Sequence, residues 1–133
     1  MTQLECASKN IVTSVLRTIA ASEGLRPREL LRNIKSGKAV ILLNNTRSLR
    51  KPCGIGLGLR TKVNANIGTS TDKSLRALEL KKLSVAVAAG ADTVMDLSVG
   101  GDIGKTRRMI LGASPVPVGT VPIYEIAVAA QTL

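Results

Sequence analysis

The chain contains no histidine. A histidine-ligated metal site, a Ser/His/Asp triad and a Cys/His pair therefore cannot be assembled from its own residues. Cysteine is nearly absent as well: Cys6 and Cys53 stand alone, with no CxxC spacing. That usage fits a reducing compartment and excludes a disulfide scaffold. Tryptophan and phenylalanine are missing, and Tyr124 is the sole aromatic residue. The core is thus almost wholly aliphatic, and nucleic-acid bases would find no stacking platform. No apolar run approaches the length of a membrane span, the longest being Val85 to Ala91. The opening Met1-Thr2-Gln3-Leu4-Glu5 is polar and acidic, unlike a secretory signal, so a cytoplasmic protein is expected.

Acids are the last scarcity. Nine of them face 19 lysines and arginines, for a net charge of +10. No acid lies between Glu29 and Asp72, while Arg32, Lys35, Lys38, Arg47, Arg50, Lys51, Arg60 and Lys62 fall in that stretch. Such a block attracts phosphate, nucleic acid or an acidic surface. A solvated face, or a face whose acidic partners lie on another chain, is the favoured explanation, because base-stacking aromatics are missing. What remains is enough for one domain with a modest core: 133 residues, 44% of them apolar.

Residues 1–38 read as a helical head. Ile11, Val12, Val15, Leu16, Ile19 and Ala20 follow helical spacing up to Gly24. Pro27 suits the first turn of a second helix, with Leu30, Leu31 and Ile34 on one face and Gly37 at its end. Ala39 to Leu43 is a short apolar strand. Residues 44–60 read as irregular, punctuated by Asn44-Asn45, Pro52, Gly54, Gly56 and Gly58. From Thr61 the pattern becomes βαβαβ: strand Lys62–Ile67, helix Lys73–Ala89, strand Thr93–Leu97, helix Ile103–Leu111 ending at Gly112, strand Val116–Thr120, and a helix from Ile123 to Gln131. Leu75, Leu78, Leu80, Leu83, Val85 and Val87 supply the apolar faces of the first of these helices. Strands alternating with helices favour right-handed parallel crossovers. The expected architecture is α/β: a helical or irregular amino-terminal region over residues 1–60, then a partial (β/α) barrel over 61–133. A closed eight-stranded barrel takes about 250 residues, so three strands leave open edges and the barrel incomplete.

Parallel sheets carry their chemistry at the carboxyl ends of their strands. Asn66, Met95 and Tyr124 sit at or just past three successive strand ends, each 29 residues from the next. Asn64 and Asn66 share a strand face, and amides on such a face need partners: each other, water or a ligand. Met95 offers a soft apolar wall, although a methionine there also serves as plain core. Tyr124 offers a ring and a hydroxyl, although composition alone favours packing. Asp92 and Asp96 lie more than about 12 Å apart along a strand, at roughly 3.3 Å per residue, which is too far for a dyad. Asp96, beside Met95, is the better site candidate, with capping of the following loop as its plain role. Gly54-Ile55-Gly56-Leu57-Gly58 imitates a dinucleotide loop but lacks the flanking strand and helix. Gly100-Gly101-Asp102 precedes a helix, so it is either a phosphate cradle or a tight turn.

At these residues a family resemblance emerges. The segments Met1 through Glu5, Gly58 through Ser70, Ala89 through Ser98, Gly100-Gly101-Asp102 and Ser114 through Tyr124 resemble the amino-terminal part of the phosphomethylpyrimidine synthase (ThiC) family, over nearly the whole chain. The resemblance implies a (β/α)8 barrel behind a helical region, and a homodimer. It implies conversion of 5-aminoimidazole ribotide to 4-amino-5-hydroxymethyl-2-methylpyrimidine phosphate in thiamine biosynthesis, by a radical carbon–carbon lyase reaction. The implied cofactors are S-adenosylmethionine, a [4Fe–4S] cluster and a divalent metal, zinc or iron. The implied substrate contacts are Asn66, Met95 and Tyr124.

The family's CxxCxxxxC cluster motif, metal-binding histidines, Ser-Arg-Gly loop and catalytic glutamate have no counterpart up to Leu133. The chain alone is accordingly expected to be inactive. Val99 stands where a threonine is usual, and Lys73-Ser74-Leu75-Arg76-Ala77-Leu78 stands where an acidic helix is expected. Arg107-Arg108 and Met109 extend that basic shift. Two alternatives stay open on residues alone: a small basic module binding a ribotide or nucleic acid, and a decayed remnant.

Overall fold

The computed structural model describes residues 1–43 and 49–130. Asn44, Asn45, Arg47 and Gln131 lie outside the described residues. The chain divides into two compact units, Met1–Lys62 and Val63–Leu133.

The amino-terminal unit opens with a helix absent from the sequence reading, α1 (Gln3–Ser8). Six residues are too few for a periodic signal, and a capping box starts the helix instead. The Thr2 hydroxyl accepts from the Glu5 amide at 3.2 Å, and the Glu5 carboxylate accepts from the Thr2 amide at 2.6 Å. Helix α2 (Ser14–Ser22) begins where the Thr13 hydroxyl accepts from the Leu16 amide. Helix α3 (Pro27–Lys35) has Pro27 in its first turn with Glu29, and Arg32 and Lys35 in its last, each charge on the side the helix dipole favours. Leu16, Ile19, Leu30 and Ile34 form an aliphatic core with Ala39 and Ile41 of strand β1 (Ala39–Leu42).

The stretch expected to be irregular contains a strand, β2 (Cys53–Gly56), paired antiparallel with β1. Its glycines are not loop punctuation. A Cβ on Gly56, where φ is +130°, would lie 2.3 Å from the Lys38 carbonyl oxygen. Glycine permits that approach of strand to strand, and the alternating apolar signal of a strand is lost with the side chains.

Glu23 closes this unit. Its carboxylate accepts from the Arg60 amide at 2.9 Å and pairs with the Lys62 ammonium at 2.9 Å. Burial pushes the Glu23 carboxyl up, but the Arg60 amide, the Lys62 hydrogen bond and the two cations outweigh it and hold the group below its usual 4.5. A carboxyl with a depressed folded pKa stabilises the fold above its unfolded pKa, and that stability is lost as pH falls through the folded value. The melting temperature should therefore drop as the solution is acidified below about pH 4.5. In Glu23→Gln this drop should be shallower, as melts across a pH series will show; parallel curves for the two proteins would exclude Glu23 as a contributor.

The carboxy-terminal unit is a parallel three-stranded sheet in the order β3-β4-β5. Its elements are β3 (Asn64–Ile67), α4 (Arg76–Ala88), β4 (Thr93–Asp96), α5 (Ile103–Ala113), β5 (Val118–Thr120) and α6 (Pro122–Ala130). Strand register sets two faces. Ala65, Val94 and Val118 form one row, and Ile67, Asp96 and Thr120 the next, on the face that the helices cover. Leu83 of α4 and Ile110 of α5 pack there with Ile67, Val94 and Val116. The opposite face carries Asn64 with Thr93, then Asn66, Met95 and Gly119 in one row.

The chain is thus mixed α/β, and no closed barrel is formed among the described residues. Helix α4 departs from its sequence reading. Leu83 is buried, but Leu75 is 71% and Val85 60% exposed, while Glu79 is only 1% exposed. Helix α5 runs through Gly112 to Ala113. Arg107 of α5 forms an ion pair with Glu125 of α6, so part of the basic excess has a local partner.

Candidate functional site

Two short loops leave the carboxyl ends of β3 and β4 and run side by side. The Leu97 amide donates to the Ile67 carbonyl at 2.8 Å, and the Val99 amide to the Thr69 carbonyl at 2.9 Å. The Thr69 amide donates to the Ser98 hydroxyl oxygen at 3.1 Å, and the Thr69 hydroxyl donates to the Gly100 carbonyl at 2.7 Å. Two glycines make the approach possible: a Cβ would fall 2.6 Å from Leu97 on Gly68, and 2.0 Å from the Ser70 carbonyl oxygen on Gly100.

Glu79 braces this end of the sheet from α4. One carboxylate oxygen accepts from the Gly68 amide at 2.7 Å and the other from the Lys82 ammonium at 2.7 Å. The Lys82 ammonium also donates to the Gly68 carbonyl at 3.3 Å. Both polar groups of the residue two places after Asn66 are therefore held by one helix. Periodicity hides this role, since a glutamate among leucines on a helix reads as a solvated position.

Asn66 and Met95 are register partners, side by side on the face opposite to the one that Leu83 and Ile110 pack against. The third place in their row belongs to Gly119, and Met95 fills the space that a side chain there would take. A Cβ on Gly119 would lie 2.9 Å from the Met95 sulfur and methyl group. Counting back one residue from the strand end at Thr120 finds Gly119 in the sequence. Tyr124 lies past the strand, in the first turn of α6, and is 40% exposed.

The remaining sequence candidates resolve differently. Asp96 lies on the helix-covered face, opposite to Met95, and is 4% exposed. One of its oxygens accepts from the Ser98 hydroxyl at 2.5 Å and from the Ser98 amide at 3.0 Å, which is the capping role rather than a site role. Asp92 sits at the other end of the sheet, where its carboxylate accepts from the Val63 amide. Gly100-Gly101-Asp102 makes a tight turn. The Asp102 carboxylate accepts from the Lys105 amide at 2.8 Å, so the α5 amino terminus already has its anion. Gly56 ends a strand and no helix opens at Gly58, which disposes of the dinucleotide loop. A cleft of about 360 Å³ in the amino-terminal unit is walled mainly by Leu4, Ile34, Val40 and Leu43; the polar side chains that line it, Thr2 and Gln3, already accept from Glu5 and Thr13.

The donor set does not fit a metal cofactor. The two cysteines are both buried, and an iron–sulfur cluster needs three or four thiolates. Among the described residues, no group of three or more Cys, Asp or Glu side chains is placed to hold a metal ion.

A parallel three-stranded sheet with helices α4 and α5 packed on one face defines an α/β protein, the architecture whose members commonly carry their sites at strand ends. Comparison with known proteins narrows that class. Residues 2–133 match the model of the Radical SAM ThiC family, and the chain belongs to that family. It is 53% identical over 131 residues to the phosphomethylpyrimidine synthase of Moorella thermoacetica, and 55% identical over 130 residues to that of Thermodesulfovibrio yellowstonii. Each match covers 98% of this chain and 30% of the relative. A Thermococcus kodakarensis phosphomethylpyrimidine synthase is 50% identical over 127 residues, again covering 30% of its length. The chain thus spans about a third of the curated relatives it matches, and corresponds to their amino-terminal portion. Membership implies a [4Fe–4S] cluster and S-adenosylmethionine in the full-length protein, and does not favour a stand-alone basic module or a remnant. Among the described residues, no helix is long and apolar enough to cross a membrane.

Proposed function

We propose that the complete polypeptide converts 5-aminoimidazole ribotide to 4-amino-5-hydroxymethyl-2-methylpyrimidine phosphate in thiamine biosynthesis, as a radical S-adenosylmethionine carbon–carbon lyase. In this reading residues 61–133 are the first three βα steps of a (β/α)8 barrel, behind the amino-terminal region of residues 1–60. The sheet face opposite to α4 and α5 becomes barrel interior, and Asn66, Met95 and Tyr124 contribute part of the ribotide pocket. Asn66 hydrogen-bonds the ribotide, while Met95 and Tyr124 wall it. The cluster, the S-adenosylmethionine and a divalent metal, zinc or iron, are held by residues outside 1–133. The same family reading carries a homodimer in the cytoplasm.

The observation that supports this most directly is the shared row of Asn66, Met95 and Gly119 on the face opposite to the one that α4 and α5 pack against. A polar ligand there meets one amide and one polarizable apolar wall, with space over Gly119 limited by Met95 alone. The test is calorimetric titration of the ribotide into the complete, anaerobically purified polypeptide. Asn66→Ala should weaken binding roughly tenfold or more, the cost of leaving a ligand polar atom unpaired in a closed pocket. Undiminished affinity with an unchanged circular dichroism spectrum would remove Asn66 from the site.

A further inference from the structure

We propose that Asn64, held by Thr93, is a positioning residue that fixes which end of the Asn66 amide faces the ligand, so that Asn66 presents its NH2 group and selects a hydrogen-bond acceptor. The inference rests on the ribotide reading above and deepens it.

Three side chains on this face form a directed chain. The Thr93 hydroxyl donates to Asn64 Oδ1 at 2.9 Å, and Asn64 Nδ2 donates to Asn66 Oδ1 at 3.0 Å. The backbone makes this possible: Asn64 and Asn66 are two apart on one strand face, and Thr93 is the register partner of Asn64.

The direction of the chain is set by its buried end. Thr93 is only 9% exposed, and its hydroxyl has one proton to place. With Asn64 Oδ1 turned towards it, that proton has an acceptor. Turning both amides over would make Thr93 accept from Asn64 Nδ2 and leave the hydroxyl proton without one, at the cost of an unsatisfied buried donor. Among the described residues no buried side-chain nitrogen or oxygen lacks a partner. With that direction Asn66 Oδ1 accepts from Asn64, and Asn66 Nδ2 is the end left to face whatever occupies this side of the sheet.

The consequence is chemical selectivity. An NH2 group recognises a ring nitrogen, a ribose oxygen or a phosphoryl oxygen, and rejects a donor at the same place. An asparagine free to turn would accept either, and would lose rotational freedom each time it bound.

The test inverts the chain. Asn64→Asp supplies only acceptors at neutral pH, so Asn66 must donate its NH2 to the new carboxylate and show its oxygen to the ligand. In the complete polypeptide, Asn64→Asp should raise the ribotide dissociation constant roughly 10- to 100-fold, with the melting temperature little changed. Thr93→Val removes the anchoring hydroxyl without adding charge and should cost a smaller factor, which Thr93→Ser should restore.

The decisive comparison is Asn64→Asp in an Asn66→Ala background. A positioning residue that acts only through Asn66 has no further effect there. Charge repulsion of the ribotide phosphate would persist undiminished in that background, and its persistence would overturn the proposal. If Asn66→Ala itself leaves ribotide affinity intact, Asn66 is not a ribotide contact and the positioning role falls with it; if the wild-type polypeptide binds no ribotide, the ribotide reading fails. If Asn66→Ala weakens binding while Asn64→Asp and Thr93→Val do not, that reading stands and the positioning role falls.

Discussion

Gly100→Ala should strip the carboxy-terminal unit of most of its stability. The added methyl would lie 2.0 Å from the Ser70 carbonyl oxygen, 2.3 Å from the Ser70 carbonyl carbon and 2.8 Å from the Thr71 amide nitrogen. All three are backbone atoms, and none can turn aside as a flexible side chain would. The Ser70 segment is pinned in turn: the Val99 amide and the Thr69 hydroxyl tie the two loops together, and Ser70 and Lys73 exchange hydrogen bonds around the next turn. Relief requires parting the loops and exposing the buried Thr69, Ser98 and Asp96. We expect a loss of about 3 kcal/mol or more, at the upper end of overpacking costs and a large share of a small unit's stability. Gly112→Ala is the contrasting case. Gly112 sits near the end of α5 with nothing within 4 Å of a would-be Cβ, so its alanine should stabilise by about 0.5 kcal/mol through helix propensity. Urea titrations of both variants read the difference. Equal midpoints would mean that the two loops are not packed as described. Ribotide affinity should fall with Gly100→Ala, because those loops leave the strand ends that carry Asn66 and Met95.

That contrast also shows what a sequence can and cannot carry here. Gly100, Gly112 and Gly56 are the same letter, yet one separates two backbones, one interrupts nothing, and one brings a strand against its neighbour. Only the three-dimensional neighbours distinguish them, which is why β2 is lost in a run of glycines while β3 and β4 are plain. The βαβαβ rhythm and the Pro27 helix are legible because each rests on a local rule: alternating elements, or proline in a first turn. Facing is legible only where a strand is short and paired. Asn64 and Asn66 must share a side, and Asp96 must oppose Met95, once the strand is granted. Helix α4 is harder. Its leucines and valines are spread around the helix, and burial goes to Leu83 and Glu79 because the sheet end lies over those positions. No pattern of hydropathy announces that a carboxylate is wanted beneath a strand end.

Glu79→Ala should be the other severe substitution, and it links stability to the site. The glutamate is 1% exposed and its pairing lysine 43% exposed, so the pair is half sealed. Removing the carboxylate leaves the Gly68 amide without its acceptor and Lys82 without its counter-ion. Breaking a buried pair by deleting one member costs about 3 kcal/mol, and the orphaned amide adds to it. Glu79→Gln keeps an acceptor for the Gly68 amide, while its NH2 group loses both the charge and the hydrogen bond from Lys82, so it should cost about half as much. The order expected in chemical denaturation is thus wild type, then Glu79→Gln, then Glu79→Ala, and identical curves for all three would mean that the brace carries no weight. The functional consequence follows from covalent distance. Gly68 is two residues from Asn66, and with its amide unfastened and Lys82, which holds its carbonyl, no longer anchored by Glu79, the end of β3 can move by the fraction of an ångström that separates a hydrogen bond from a miss. Glu79→Gln should then bind ribotide almost as the wild type does, while Glu79→Ala, assayed under conditions where it remains folded, should bind several-fold more weakly. A glutamate on the helix-packed side of the sheet would in that way set the position of the asparagine proposed to meet the ligand.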